Sequence, residues 1–118
     1  MTIERISQGK GYLLDIPELV TLPNGEVPGM YININDENGK PFELFIQYKP
    51  PEFFELIAVI TRMVSMALRE GVPAKVIAKE LMDIHSPVTR HFKKGEDSEV
   101  PSLTYRVGEA LEQHIMNS

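Results

Sequence analysis

The sequence predicts an α+β fold: a small antiparallel β-sheet in the N-terminal half packed on three α-helices in the C-terminal half. Two observations carry that expectation. Through residues 29–48, "GMYININDENGKPFELFIQY", apolar and polar residues alternate on both sides of a turn, the period of half-buried strands. Beyond Pro50-Pro51 the apolar period lengthens to that of helices. Strands followed by helices, instead of alternating with them, give α+β.

Residues 1–28 mix strand character in "GYLLDI" with the loop punctuation of "TLPNGEVPG". In the first clear strand, Met30, Ile32 and Ile34 share one face and Tyr31, Asn33 and Asn35 the other. Asn38-Gly39 tolerates the positive φ of a tight hairpin. The return strand sets Phe42, Leu44, Ile46 and Tyr48 against Glu43, Phe45 and Gln47. Pro50-Pro51 ends it and prepares the first turn of a helix, where a missing amide costs little.

That helix, "PEFFELIAVITRMVSMALREG", carries apolar residues over far more than one stripe, so cover on more than one side is expected. Glu55, Arg62 and Arg69 form a narrow line at seven-residue spacing, flanked by Ala58 and Ser65, that faces solvent, a ligand or a partner chain. Arg62, a cation within an apolar helix, is expected in an ion pair, local or interfacial, or on a phosphate. Gly71 fits a helix C-cap, and Pro73 begins "PAKVIAKELMDI", with Val76, Ile77, Leu81, Met82 and Ile84 expected inward. Residues 85–101 are polar and irregular and read as a long loop. Ser102 caps a last helix that runs to Met116, with Val107, Ala110, Leu111 and Ile115 as its apolar face.

At 118 residues a single domain, 1–118, is expected. Net charge −5 argues against a nucleic-acid polymer as partner, since such binding needs a basic stripe to release counterions. There is no apolar run of roughly 18 residues, which argues against a membrane partner. "MTIERISQGK" lacks the apolar core of a secretory leader, so a cytoplasmic protein is expected. With no cysteine there is neither a disulfide framework nor a thiolate metal site. His85 and His91 do not make a metal site, which needs three or four convergent ligands. Ser86 and Ser102 lack an oriented base, so no catalytic residue and no cofactor is assigned.

"GMYININDENGKPFELFI", "LIAVITRMVSMALREGVPAKVIAKELMDI" and the serine-led "SLTYRVGEAL" together resemble the small C-terminal TSCPD domain of adenosylcobalamin-dependent ribonucleotide reductases, over about residues 29 to 112. Where that family has Thr-Ser-Cys-Pro-Asp, this chain has Pro101, Ser102, Leu103, Thr104 and Tyr105, so the cysteine is lost. In size and layout the chain is also similar to the first Thoeris anti-defence family of bacteriophages. That resemblance implies a non-enzymatic sponge for cyclic ADP-ribose-like signals, in some members also for cyclic oligonucleotides, working in the bacterial host's cytoplasm. The alternative it leaves open is an accessory or regulatory domain associated with ribonucleotide reductase.

A nucleotide-derived signal needs cations for its phosphates and an aromatic platform for its base. "HSPVTRHFKK" gathers His85, Arg90, His91, Phe92, Lys93 and Lys94, and Tyr105 and Arg106 begin the last helix, whose N-terminus favours anions. Arg90 and Arg106 are therefore candidate phosphate ligands, Phe92 and Tyr105 candidate base or ribose contacts, and His85 or His91 a hydrogen-bonding group. A solvated surface explains the two lysines equally well, and a helix C-cap explains His85. Arg62 is a candidate interface or second-site cation. The apolar excess of the first long helix implies a homo-oligomer, dimer or hexamer.

Overall fold

The computed structural model describes residues 2–6, 9–15, 23–84, 89–93, 96–99 and 102–117. Four strands form an antiparallel meander in chain order: β1 (Thr2–Ile6), β2 (Gly9–Asp15), β3 (Gly29–Glu37) and β4 (Lys40–Gln47). The α+β architecture is the expected one. The sheet is larger than the hairpin read from the sequence, because β2 pairs with β3 along its whole length, from Gly9 opposite Asn35 to Asp15 opposite Gly29.

The β3–β4 turn follows its chemistry. Asn38 and Gly39 sit at φ of 54° and 77°, the doubly positive pair that reverses a hairpin with the right twist. Alternation then decides the faces. Tyr12 and Leu14, Met30, Ile32 and Ile34, and Leu44 point from three strands into the core, while Tyr31, Asn33 and Asn35 lie on the half-exposed outer face.

Helix α1 (Phe54–Arg69) follows a 3-10 turn at Pro51–Phe53 and packs along β4, the sheet's edge. Ser65, buried on α1, secures this contact. Its hydroxyl accepts from the Leu44 N–H at 3.0 Å and donates to the Leu44 carbonyl at 3.1 Å, so one side chain satisfies both backbone groups that the edge leaves open. Gly71, at φ 92°, ends the helix: its N–H reaches the Leu68 carbonyl and the Val72 N–H reaches that of Ala67, a Schellman closure.

Helix α2 (Ala74–Met82) lies against α3 (Leu103–Met116). The approach is close because α3 carries Gly108 at the crossing. A methyl group there would stand 2.7 Å from Met82 Cγ and 2.9 Å from the Ala78 carbonyl oxygen. Ser102 caps α3 as expected, accepting from the Tyr105 N–H at 2.9 Å, and donates to the Ile84 carbonyl at 2.6 Å, which ties the end of α2 to the start of α3.

Two expectations need correction. Val76 and Ile84, expected inward, are exposed, and Ala78 takes a buried place beside Ile77, because the glycine seam turns the small side of α2 toward α3. The stretch 85–101 is not irregular throughout: β5 (Thr89–Lys93) and β6 (Glu96–Glu99) pair antiparallel as a separate two-stranded sheet. Within a single copy of the chain, α1 is covered on one side. Ile60, Val64 and Leu68 are buried, whereas Leu56, Val59, Met63 and Met66 stay half exposed.

Candidate functional site: a cleft at the open end of the sheet

The cleft lies where β3 begins and β4 ends. It is lined by Pro23, Glu26, Pro28, Gly29 and Tyr31 on one side and by Gln47, Tyr48, Lys49, Pro50, Pro51 and Glu52 on the other, and holds about 700 Å³. That volume is in the range of small-molecule sites.

Local sequence builds both walls. Gly25, at φ 86°, and Asn24, whose Oδ1 accepts from the Glu26 N–H at 2.9 Å, make the turn that brings Pro23 and Pro28 to the cleft. Pro50 and Pro51 stiffen the opposite wall by fixing φ where β4 passes into the 3-10 turn. Tyr48 is held by Phe53, ring centroids 5.6 Å apart. Tyr31 lies across β2 at Gly11, where a methyl group would fall 1.9 Å from the phenol oxygen; only glycine leaves room for this ring.

Chemically the cleft offers two phenol rings, two prolines on each wall, one ammonium group, an amide and two carboxylates. Aromatic and proline surfaces suit a flat base. Lys49 suits a phosphate, and Glu26, Glu52 and Gln47 suit sugar hydroxyls or an exocyclic amine. Among the described residues no cluster of histidine, aspartate and glutamate is arranged to hold a metal ion.

Among the described residues, the cleft lining does not include Arg62, Tyr105 or Arg106. Arg106, in the first turn of α3, pairs with Glu109 at 2.9 Å. Tyr105, half-buried next to it, gives its backbone N–H to the Ser102 cap. Arg90, His91 and Phe92 fall on strand β5, and their side chains lie outside the described residues, as does His85 altogether. The line Glu55, Arg62 and Arg69 is exposed as expected; Arg69 pairs with Glu43 at 2.8 Å, and Glu43 also accepts from Asn35 Nδ2 at 2.7 Å.

A second polar constellation escaped sequence reasoning. Tyr12 on β2, His114 on α3 and Asp36 on β3 form a chain: the Tyr12 hydroxyl lies 2.7 Å from His114 Nδ1, and His114 Nε2 lies 2.7 Å from Asp36 Oδ1. Burial, and next the charge of Asp36, push the Tyr12 phenol up to about 12. The phenol therefore keeps its proton and donates it to Nδ1, which leaves the Nε2 hydrogen to Asp36. Tyr12 and His114 are fully buried, so this chain pins α3 to the sheet and is closed to a ligand. Nothing short of the tertiary structure joins residues 102 positions apart.

The family model of the TSCPD domain matches residues 20–115. The chain belongs to the TSCPD domain family. No curated protein and no solved structure matches it. The cleft, the β3–β4 hairpin, α1, α2 and α3 as far as Ile115 lie inside the matched residues of this TSCPD domain. At the degraded signature, Ser102 persists as a helix cap, and Leu103, standing where the resemblance places the cysteine, is buried as a core residue.

Proposed function

We propose that this TSCPD domain is a binding protein that holds a nucleotide-derived small molecule and releases it unchanged. The observation that carries the reading is the cleft, a space of about 700 Å³ with two prolines on each wall and Tyr31, Tyr48 and Lys49 in its lining. The Tyr12–His114–Asp36 chain is not part of its lining, and Tyr12 and His114 are fully buried. The ligand class that fits is a cyclised nucleotide signal of the cyclic ADP-ribose type, with cyclic oligonucleotides as larger relatives, and the biological sense of holding it is to blunt a bacterial anti-phage response. One ammonium and two carboxylates favour a ligand with few phosphates over a polyphosphate.

The family match favours a second reading, an accessory domain associated with ribonucleotide reductase. One thermal-shift panel separates the two, because any ligand of the native state raises the melting temperature by mass action. Cyclic ADP-ribose isomers and cyclic di- and trinucleotides are expected to raise it, to be recovered intact, and to lose their effect in Lys49→Ala. Shifts with ATP or dATP alone would replace the first reading by the second. A shift that survives Lys49→Ala but not Arg90→Ala or Arg106→Ala would move the site to β5 and the start of α3.

A further inference from the structure

Gly11 on β2 is buried, although strand alternation sets it on the outer face of the sheet, beside Asn33 and away from Tyr12 and Leu14. The side chain that covers it is that of Tyr31. The three atoms nearest to a methyl group built at Gly11 all belong to that ring: the phenol oxygen at 1.9 Å, Cζ at 2.4 Å and Cε1 at 3.0 Å. Tyr31 itself stands opposite Leu13, so the ring runs diagonally across the strand pair, and its far end rests where Gly11 has no side chain.

The two ends of the ring therefore serve different places. Tyr31 lines the cleft, whereas Gly11 and Asn33 do not. Strand β4, which supplies the opposite cleft wall, flanks β3 on the side away from β2. The hydroxyl end lies over β2, two residues deeper in the sheet, and Tyr31 gives the cleft the part of its side chain nearer its own backbone.

We propose that Gly11, a residue outside the cleft, is the positioning residue of the Tyr31 wall, and that Tyr31 meets a ligand by packing and not through its hydroxyl. The inference rests on the reading of the cleft as a ligand site. With a β-carbon at position 11 the ring cannot stay. Being one planar unit, it moves as a whole, to another staggered χ1 position off β2, and the cleft wall changes while every lining residue keeps its identity. The backbone accepts the change: Gly11 does not have a positive φ, it pairs regularly with Glu4 on one side and Asn33 on the other, and alanine is preferred to glycine within a strand. Loss of binding is thereby separated from loss of folding. The seat also selects among ligands, since a flat base packs against a fixed aromatic side chain, while a ligand that needs a hydrogen bond at this wall finds the hydroxyl turned away.

Titration calorimetry with cyclic ADP-ribose, together with NMR of the free chain, tests this. In the free native chain a nuclear Overhauser contact joins the Gly11 α protons to the Tyr31 ring ε protons. Gly11→Ala keeps the circular dichroism spectrum, shifts the amide resonances of Tyr48 and Lys49 across the cleft, and loses affinity by about fivefold or more, the size of a lost ring contact. Tyr31→Phe, which keeps the ring, binds within about twofold of the native chain, and Gly11→Ala added to Tyr31→Ala costs no more than about twofold further, because two residues acting through one contact are not additive. Equal affinity in Gly11→Ala, a Gly11→Ala chain that does not fold, a larger loss in Tyr31→Phe, additive losses in the double variant, or an absent Overhauser contact overturns the proposal. A native chain that does not bind the nucleotide overturns the reading of the cleft; the seat is then upheld by the Overhauser contact and the shifted Tyr48 and Lys49 resonances, and overturned without them.

Discussion

Helices α1 and α3 are built from similar amphipathic sequence and are used differently. In α3 the fold takes nearly all that is apolar: Leu103, Val107, Ala110 and Leu111 are buried, the same face takes in His114 as well, and Met116 is left exposed at the helix end. In α1 it takes only one side, through Ile60, Val64 and Leu68, and leaves Phe54, Leu56, Val59, Met63 and Met66 exposed. Apolar residues in excess of what one sheet can cover indicate where the core ends.

The sharpest way to break this contrast is His114→Ala. It empties a fully buried site and leaves the Tyr12 hydroxyl without its acceptor, so a loss of about 3 to 5 kcal/mol is expected in urea denaturation. The same link should appear in pH. Because the phenol's value is raised on folding to about 12, its contribution is complete below about 10 and declines as pH rises from 10 to 12. The expected slope is about 1.4 kcal/mol per pH unit in that window, and Tyr12→Phe removes it. Next comes Gly108→Ala, whose methyl group meets the Ala78 carbonyl; separating α2 from α3 should cost about 1 to 3 kcal/mol. The smallest effect belongs to α1. Val59→Ser, at an exposed position, should change folding stability by less than about 0.5 kcal/mol. A large loss there would show that the outer face of α1 is already part of the core.

Local signals in the sequence were sufficient for the hairpin, the helix ends and the α+β class. Asn38-Gly39, Gly71 and Ser102 each act within a few residues of themselves, and each performs the expected backbone task. Strand β1 and the direction in which α2 faces were not legible. Pairing of Thr2–Ile6 with β2 is a tertiary matter, and the rotation of α2 is set by a glycine on another helix. The cleft was hidden for a related reason. Tyr31, Tyr48 and Lys49 read as ordinary strand residues, and the prolines facing them as punctuation, until β3 and β4 align their ends and the Pro23–Pro28 turn folds against them. The signal that was available is the density of proline on both sides of the hairpin, four residues that end at one place.

The central claim is that the cleft holds a nucleotide-derived ligand without altering it. Calorimetric titration of the native chain and of Tyr31→Ala with cyclic ADP-ribose, followed by mass spectrometry of the recovered ligand, tests it most directly. Saturable binding by the native chain, a loss of about 1 to 3 kcal/mol on removing the Tyr31 ring, and ligand of unchanged mass are the predicted results. Equal affinity in the two proteins, or a ligand returned hydrolysed, would contradict the account.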